Sequence, residues 1–183
     1  MEFLQLFETI ILVEQRCEID NNAILKTVNK HRYTEPTVKI SNTGYQGHNF
    51  QSEVLFEVIK QKMPQRSDHM LSYFEIQAWL NINSSFDWND IHSHQDDGVL
   101  LSGVYYAKVP ENSGNIRLYD PRTNHSKNLY DKYYNEGKGN YLTVAPKDQM
   151  LLFLPPWLPH MVEPNLSGTE RISVGFNIIN PRF

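Results

Sequence analysis

A single cysteine, Cys17, is all the thiol this chain of 183 residues carries, so an internal disulfide and a C-x-x-C redox or zinc pair are both excluded. Long apolar runs are missing as well. The stretch Ile10 to Val13 is too short for a signal-peptide core or a membrane span. Nor is there an excess of positive charge: 17 basic against 21 acidic residues leave a net charge of -4, which gives no general pull toward phosphate backbones. Nucleic acid and membrane are therefore not expected as partners, and a soluble protein of a reducing, cytoplasmic compartment is. No Walker loop, G-x-G-x-x-G turn or Ser-His-Asp order is present, so phosphoryl transfer, nicotinamide chemistry and serine hydrolysis have no residues to rest on.

What is present is a well-supplied core, with 40% hydrophobic and 12% aromatic residues, enough for one domain of this length. Residues 1–70 and 74–183 differ in pattern. In the first, Asp20-Asn21-Asn22 offers N-caps ahead of Ala23, Ile24, Leu25 and Val28, and Ser52-Glu53 precedes Leu55, Val58, Ile59 and Met63 before Pro64 stops the stripe. Two short helices are predicted there, with a turn-rich loop at Ser41 to Gly47 between them. From Phe74 the pattern becomes short β-branched and aromatic runs: 74–83, 91–94, 99–109, 115–119, 141–145, 150–154 and 171–178. Such spacing predicts a mainly β domain with flanking helices, a double-stranded β-helix or cupin-like jelly roll whose N-terminal helices pack on one sheet. The irregular stretch Asp120 to Asn140, with Tyr130, Tyr133 and Tyr134, is a candidate lid or a solvated surface loop.

Two stretches carry chemistry. In His92-Ser-His94-Gln-Asp96, an extended backbone would turn His94 and Asp96 to one face, and an imidazole with a carboxylate plus one distant histidine makes the facial triad of non-haem Fe(II). His160, after the apolar strand and proline-stiffened turn of Phe153 to Pro159, is the natural third ligand. Arg171-Ile-Ser-Val-Gly-Phe-Asn177 alternates, with Ile172, Val174 and Phe176 on one face and Arg171, Ser173, Gly175 and Asn177 on the other. If the polar face looks into the barrel, the guanidinium needs an anion, and a carboxylate with a hydroxyl donor from Ser173 would satisfy it. If Arg171 instead ends an exposed strand, it pairs with a surface acid.

H-x-D, a distant histidine and R-x-S about ten residues later resemble the iron(II)/2-oxoglutarate-dependent dioxygenases, and more closely the small 2OG-Fe(II) oxygenases of bacteria and phages. The resembling stretches are Ser41-Asn42, Trp79-Leu-Asn81, His92 to Tyr106, Asp120-Pro-Arg122, Leu152 to His160, Pro164-Asn165 and Arg171 to Asn177. Relatives often carry a second histidine where the carboxylate is expected. Counting back from Ser102-Gly103 sets His94 and Asp96 at those two positions, so the resemblance implies His94, Asp96 and His160 as ligands, with His92 as the alternative. It further implies Fe(II), 2-oxoglutarate and O2, with ascorbate as a further candidate. Arg171 and Ser173 would hold the distal carboxylate of 2-oxoglutarate, and Asn81, Tyr106 and Asn177 complete the co-substrate pocket. The implied reaction hydroxylates an unactivated C–H of a protein side chain or small metabolite while 2-oxoglutarate becomes succinate and carbon dioxide. Two other readings remain open at this point: a cupin-like metalloenzyme that does not use 2-oxoglutarate, and a non-catalytic jelly-roll binding module.

Overall fold

The computed structural model describes residues 8–33, 44–64, 74–121 and 141–181. Its elements run β1 (Leu12–Glu14), α1 (Asn21–His31), β2 (Tyr45–Gly47), α2 (Glu53–Lys62), β3 (Glu75–Asn83), β4 (Asn89–His92), β5 (Val99–Lys108), β6 (Ile116–Tyr119), β7 (Tyr141–Val144), β8 (Leu151–Leu154), β9 (His160–Val162) and β10 (Arg171–Ile179). Two antiparallel sheets result, one of order β1-β8-β5-β10-β3-β2 and one of order β4-β9-β6-β7, the two-layer arrangement of a jelly roll.

Both helices begin where the sequence places their caps. The Asp20 carboxylate accepts from the Ala23 N–H at 3.1 Å, and the Ser52 hydroxyl accepts from the Leu55 N–H at 3.4 Å. Each then buries one stripe, Ile24 and Val28 on α1 and Leu55 and Ile59 on α2, against the outer face of the larger sheet. That outer face is the apolar half of the alternation: Leu80 and Ile82 of β3, Tyr105 of β5, and Ile172, Val174, Phe176 and Ile178 of β10. Burying such side chains stabilises by roughly 1.5–3 kcal/mol apiece. A second, smaller cluster of Tyr106, Ile116, Leu118, Met150, Leu152, Leu154 and Leu158 fills the space between the sheets at one end.

The adjacent tyrosines of β5 divide as period two requires. Tyr105 goes outward, its hydroxyl donating to Asn21 Oδ1 at 2.8 Å, and Tyr106 goes inward to the cavity between the sheets.

The strands β1, β2 and β9 are not apparent in the sequence; each is three residues long and too short to display an alternation. The expected strand at 91–94 is observed as β4, which starts and ends two residues earlier. Ser41 to Thr43 and residues 122–140, with the candidate lid tyrosines, lie outside the described residues.

Candidate metal and co-substrate site

The cavity between the sheets is about 280 Å³, and its wall on the larger sheet is read directly from strand register. Arg171 pairs with Asn83; Ser173 with Asn81 and Tyr106; Gly175 with Trp79 and Val104; Asn177 with Gln77 and Ser102. All of these residues line the cavity. The polar face of β10 therefore looks inward, the first of the two alternatives for Arg171.

Arg171 is 1% exposed, and burial presses its pKa down while Tyr106 and Asp87 act to raise it; a guanidinium remains charged nonetheless. One nitrogen, Nη1, donates to the backbone carbonyl of Ser113, and more weakly to those of Gly114 at 3.4 Å and Glu163 at 3.5 Å. These carbonyls come from the loop before β6 and the end of β9, and the loop is tied down from behind. The Glu163 carboxylate accepts from the Asn115 N–H at 3.1 Å, from Asn115 Nδ2 at 2.9 Å and from Arg117 Nε at 2.6 Å. Gly114 sits at φ +87, and a Cβ there would run into the Glu163 carbonyl, so glycine is needed for the close approach. The second terminal nitrogen of Arg171, Nη2, is buried with no partner among the described residues. Leaving a buried charged donor unpaired costs several kcal/mol, which fits a site awaiting an anion.

Opposite this wall, three histidines converge: one ligand nitrogen each from His92, His94 and His160 lies within 4.8 Å of the others. His92 and His160 are register partners across β4 and β9. His94 comes from beyond β4, where the backbone has left the strand and the His94 N–H donates to the Pro156 carbonyl at 2.7 Å. The Trp79 indole stacks on the His94 ring, centroids 5.3 Å apart at 29°, and holds it toward the cluster. His92 Nδ1 lies 2.7 Å from the Asp90 carbonyl and His160 Nδ1 2.9 Å from that of Leu158, so both Nδ1 atoms act as N–H donors and both Nε2 lone pairs remain for a metal.

Electrostatics favours the same state. Burial, reinforced by the neighbouring His92, pushes His160 down to about 3 and His94 to about 4, Asp96 partly opposing the latter. Both imidazoles are neutral at physiological pH, the form that ligates a metal.

Of the ligands expected from sequence, His94 and His160 meet in this cluster. Asp96 lines the same cavity, exposed and beside His94, but its carboxylate is outside the three-nitrogen group, whose third member is His92. The alternation that turns His94 and Asp96 to one face presupposes an unbroken strand, and the strand ends at His92. Of the expected co-substrate residues, Ser173, Asn81 and Tyr106 surround the Arg171 end, whereas Asn177 is three register steps away. The stacking of Trp79 on His94 and the Ser113, Gly114 and Glu163 carbonyls around Arg171 were not expected from the sequence. Only the period-two position of Trp79 opposite Gly175 could have flagged it.

Residues 77–177 match the family model described as "Putative 2OG-Fe(II) oxygenase". Among solved structures, a Pseudomonas putida prolyl-4-hydroxylase is similar at 16% identity and TM-score 0.61, covering 94% of this chain and 93% of that one. A Trichoplax adhaerens prolyl hydroxylase, solved with a hypoxia-inducible-factor peptide fragment, is similar at 11% identity and TM-score 0.63, covering 94% and 84%. A Burkholderia pseudomallei oxidoreductase of the 2OG-Fe(II) oxygenase family gives 10% identity and TM-score 0.63, covering 93% and 85%. At these identities the likeness is one of fold. No curated protein sequence matches.

Proposed function

The chain belongs to the 2OG-Fe(II) oxygenase family, and from that premise we propose a division of labour among its residues. The family makes it an oxidoreductase that takes Fe(II), 2-oxoglutarate and O2. Iron would be held by Nε2 of His92, Nε2 of His160 and a ring nitrogen of His94. The observation that carries this is a single cavity holding three convergent imidazoles and, on its other wall, a buried guanidinium with one terminal nitrogen unpaired among the described residues. Bound together there, the metal, 2-oxoglutarate and O2 supply oxidising power that couples formation of succinate and carbon dioxide to hydroxylation of an unactivated C–H in a protein side chain or small metabolite.

The protein's own part is binding, orientation and exclusion of water. Arg171 Nη2 donates to the distal carboxylate of 2-oxoglutarate, its direction fixed by the carbonyls that hold Nη1. Ser173 and Tyr106 add hydroxyl donors, and Asn81 an amide donor, from neighbouring register positions. Burial pushes the Tyr106 phenol up to about 12, against the pull of Arg171, so it keeps its proton. Ile116 and Val162 add apolar lining at this end, against which water is excluded. Asp90 and Leu158, through their carbonyls, set the tautomers of two ligands.

A second assignment of the third ligand has one supporting observation. Asp96 is close enough to His94 to act on its titration, so a shift of the exposed 95–98 turn would bring a carboxylate to the metal in place of His92. Anaerobic titration with Fe(II) and 2-oxoglutarate, followed by the visible charge-transfer band of the chelate, separates the two. His160→Ala abolishes the band, and of His92→Ala and Asp96→Ala only the ligand's variant does so. Arg171→Ala keeps iron but weakens 2-oxoglutarate by about 2–5 kcal/mol, as when a desolvated charge pair loses one member. A full-strength band in His160→Ala would refute the site.

A further inference from the structure

The cavity is electrically lopsided, and this bears on what else enters it. Among its described lining residues the two full charges of fixed sign are Arg171 and Asp96. They belong to opposite ends. Arg171 opens β10, while the 96–98 turn is fastened to its other end, where Asn180 N–H donates to the Gly98 carbonyl at 2.9 Å and Val99 pairs with Ile179. From Arg171 to Asn177 is six residues of strand, about 20 Å. A five-carbon diacid anchored on Arg171 and chelated beside the histidines does not extend past Trp79 to Asn177. The far half is therefore left to another molecule.

Its chemistry is that of an acceptor. Asn177 is 7% exposed, and its Oδ1 is buried without a partner among the described residues. The Ser102 hydroxyl is already spent as a donor to the Phe176 carbonyl at 3.4 Å, which leaves its lone pairs. Asp96 adds a carboxylate at the rim. 2-Oxoglutarate brings only acceptors, so it satisfies none of these groups. A ligand with N–H donors and positive charge satisfies them all.

We propose that the half of the cavity between Trp79 and the 96–98 turn is the primary-substrate subsite and that it takes an aliphatic ammonium head, as on a lysyl side chain. This rests on the oxygenase reading of the same cavity. The ammonium donates to Asn177 Oδ1 and faces Asp96, while its methylene stem passes the Trp79 indole toward the metal.

The test is isothermal titration of N-acetyl-L-lysine methylamide, the uncharged N-acetyl-L-norleucine methylamide and the anionic N-acetyl-L-glutamate methylamide into protein held anaerobically with Fe(II) and 2-oxoglutarate, repeated on metal-free protein. The lysine probe binds about tenfold more tightly than the norleucine probe, and Asp96→Asn or Asn177→Leu reduces that preference to under about threefold, as expected for a partly desolvated charge pair. Asp96→Asn alters an exposed side chain, so it keeps the test valid if Asn177→Leu does not fold. Equal or tighter binding of either other probe, no binding of any probe, or an undiminished preference in Asp96→Asn overturns the subsite. Loss of iron in Asp96→Asn also overturns it, because the carboxylate then belongs to the metal. A lysine preference that persists where 2-oxoglutarate fails to bind supports the subsite and refutes the oxygenase reading instead.

Discussion

In the larger sheet β10 is buried from Arg171 to Ile178 and paired on both sides, β5 on one and β3 on the other, whereas in the smaller sheet β7 leaves Tyr141, Leu142 and Thr143 exposed and β4 loses register between Asn89 and His92. The two halves of the site inherit this difference. Arg171 opens β10, whose pairing with β3 runs without a shift from Arg171 to Ile179, while its pairing with β5 shifts once near each end. The histidines stand on short strands and a strand exit, His92 opposite His160 in register and His94 beyond the end of β4. Long pairing fixes distance along a wall, and short strands with their exits gather side chains from different positions.

The largest effect follows from the stiff half. Phe176 is fully buried on the outer face of β10, its ring edge-on to Phe153 with centroids 5.6 Å apart at 78°. Phe176→Ala should destabilise the protein by about 3–5 kcal/mol in denaturant unfolding. Iron affinity of the folded fraction should be unchanged, since the ring points away from the cavity. A loss below about 1 kcal/mol would mean that β10 is not the mechanical centre of the fold.

The same contrast governs what could be read from the sequence. The faces of β10 were legible because Arg171 to Asn177 alternate, which set Arg171, Ser173 and Asn177 on one polar face; that this face turns to the cavity is given by the fold. Helix starts were legible for a local reason, that Asp20 and Ser52 satisfy N–H groups within three residues. The histidine side resisted because its geometry is decided by partners far along the chain. Whether the backbone stays extended through residue 94 depends on the Pro156 carbonyl, 62 residues later, and no local pattern encodes that. Hence the expected pair His94 and His160 lies together in the cluster, while the choice between His92 and Asp96 turns on where a strand ends. The resemblance of motifs supplied the family; the register of two sheets supplied which polar residue sits at which end.

A middle-sized effect sharpens the comparison by coupling the halves. Gly175 lies on β10 under the Trp79 indole, and a Cβ there would meet Trp79 Cε2 at 2.5 Å and Nε1 at 2.6 Å. The ring cannot retreat freely, because it stacks on His94. Gly175→Ala should therefore cost about 1–3 kcal/mol of stability by overpacking. Unlike Phe176→Ala, it should also lower Fe(II) affinity measurably. If Fe(II) binds Gly175→Ala as it does the parent, Trp79 does not position His94 and the two walls are independent.

The smallest effect is expected at the loose edge of the smaller sheet. Leu142 of β7 pairs in register with Leu118 of β6, yet is 55% exposed, so it contributes little buried area despite its position in a ladder. Leu142→Thr keeps strand propensity and removes only exposed apolar surface, and its cost should stay within about 0.5 kcal/mol. The same exchange at Leu80, fully buried on the outer face of β3, introduces an unpaired hydroxyl and a void together. Measured side by side, the pair gauges how unequally the two sheets share the stability of the fold. A Leu142→Thr loss above about 1.5 kcal/mol would show that the edge is part of a packed core and that the asymmetry between the sheets is smaller than their burial implies.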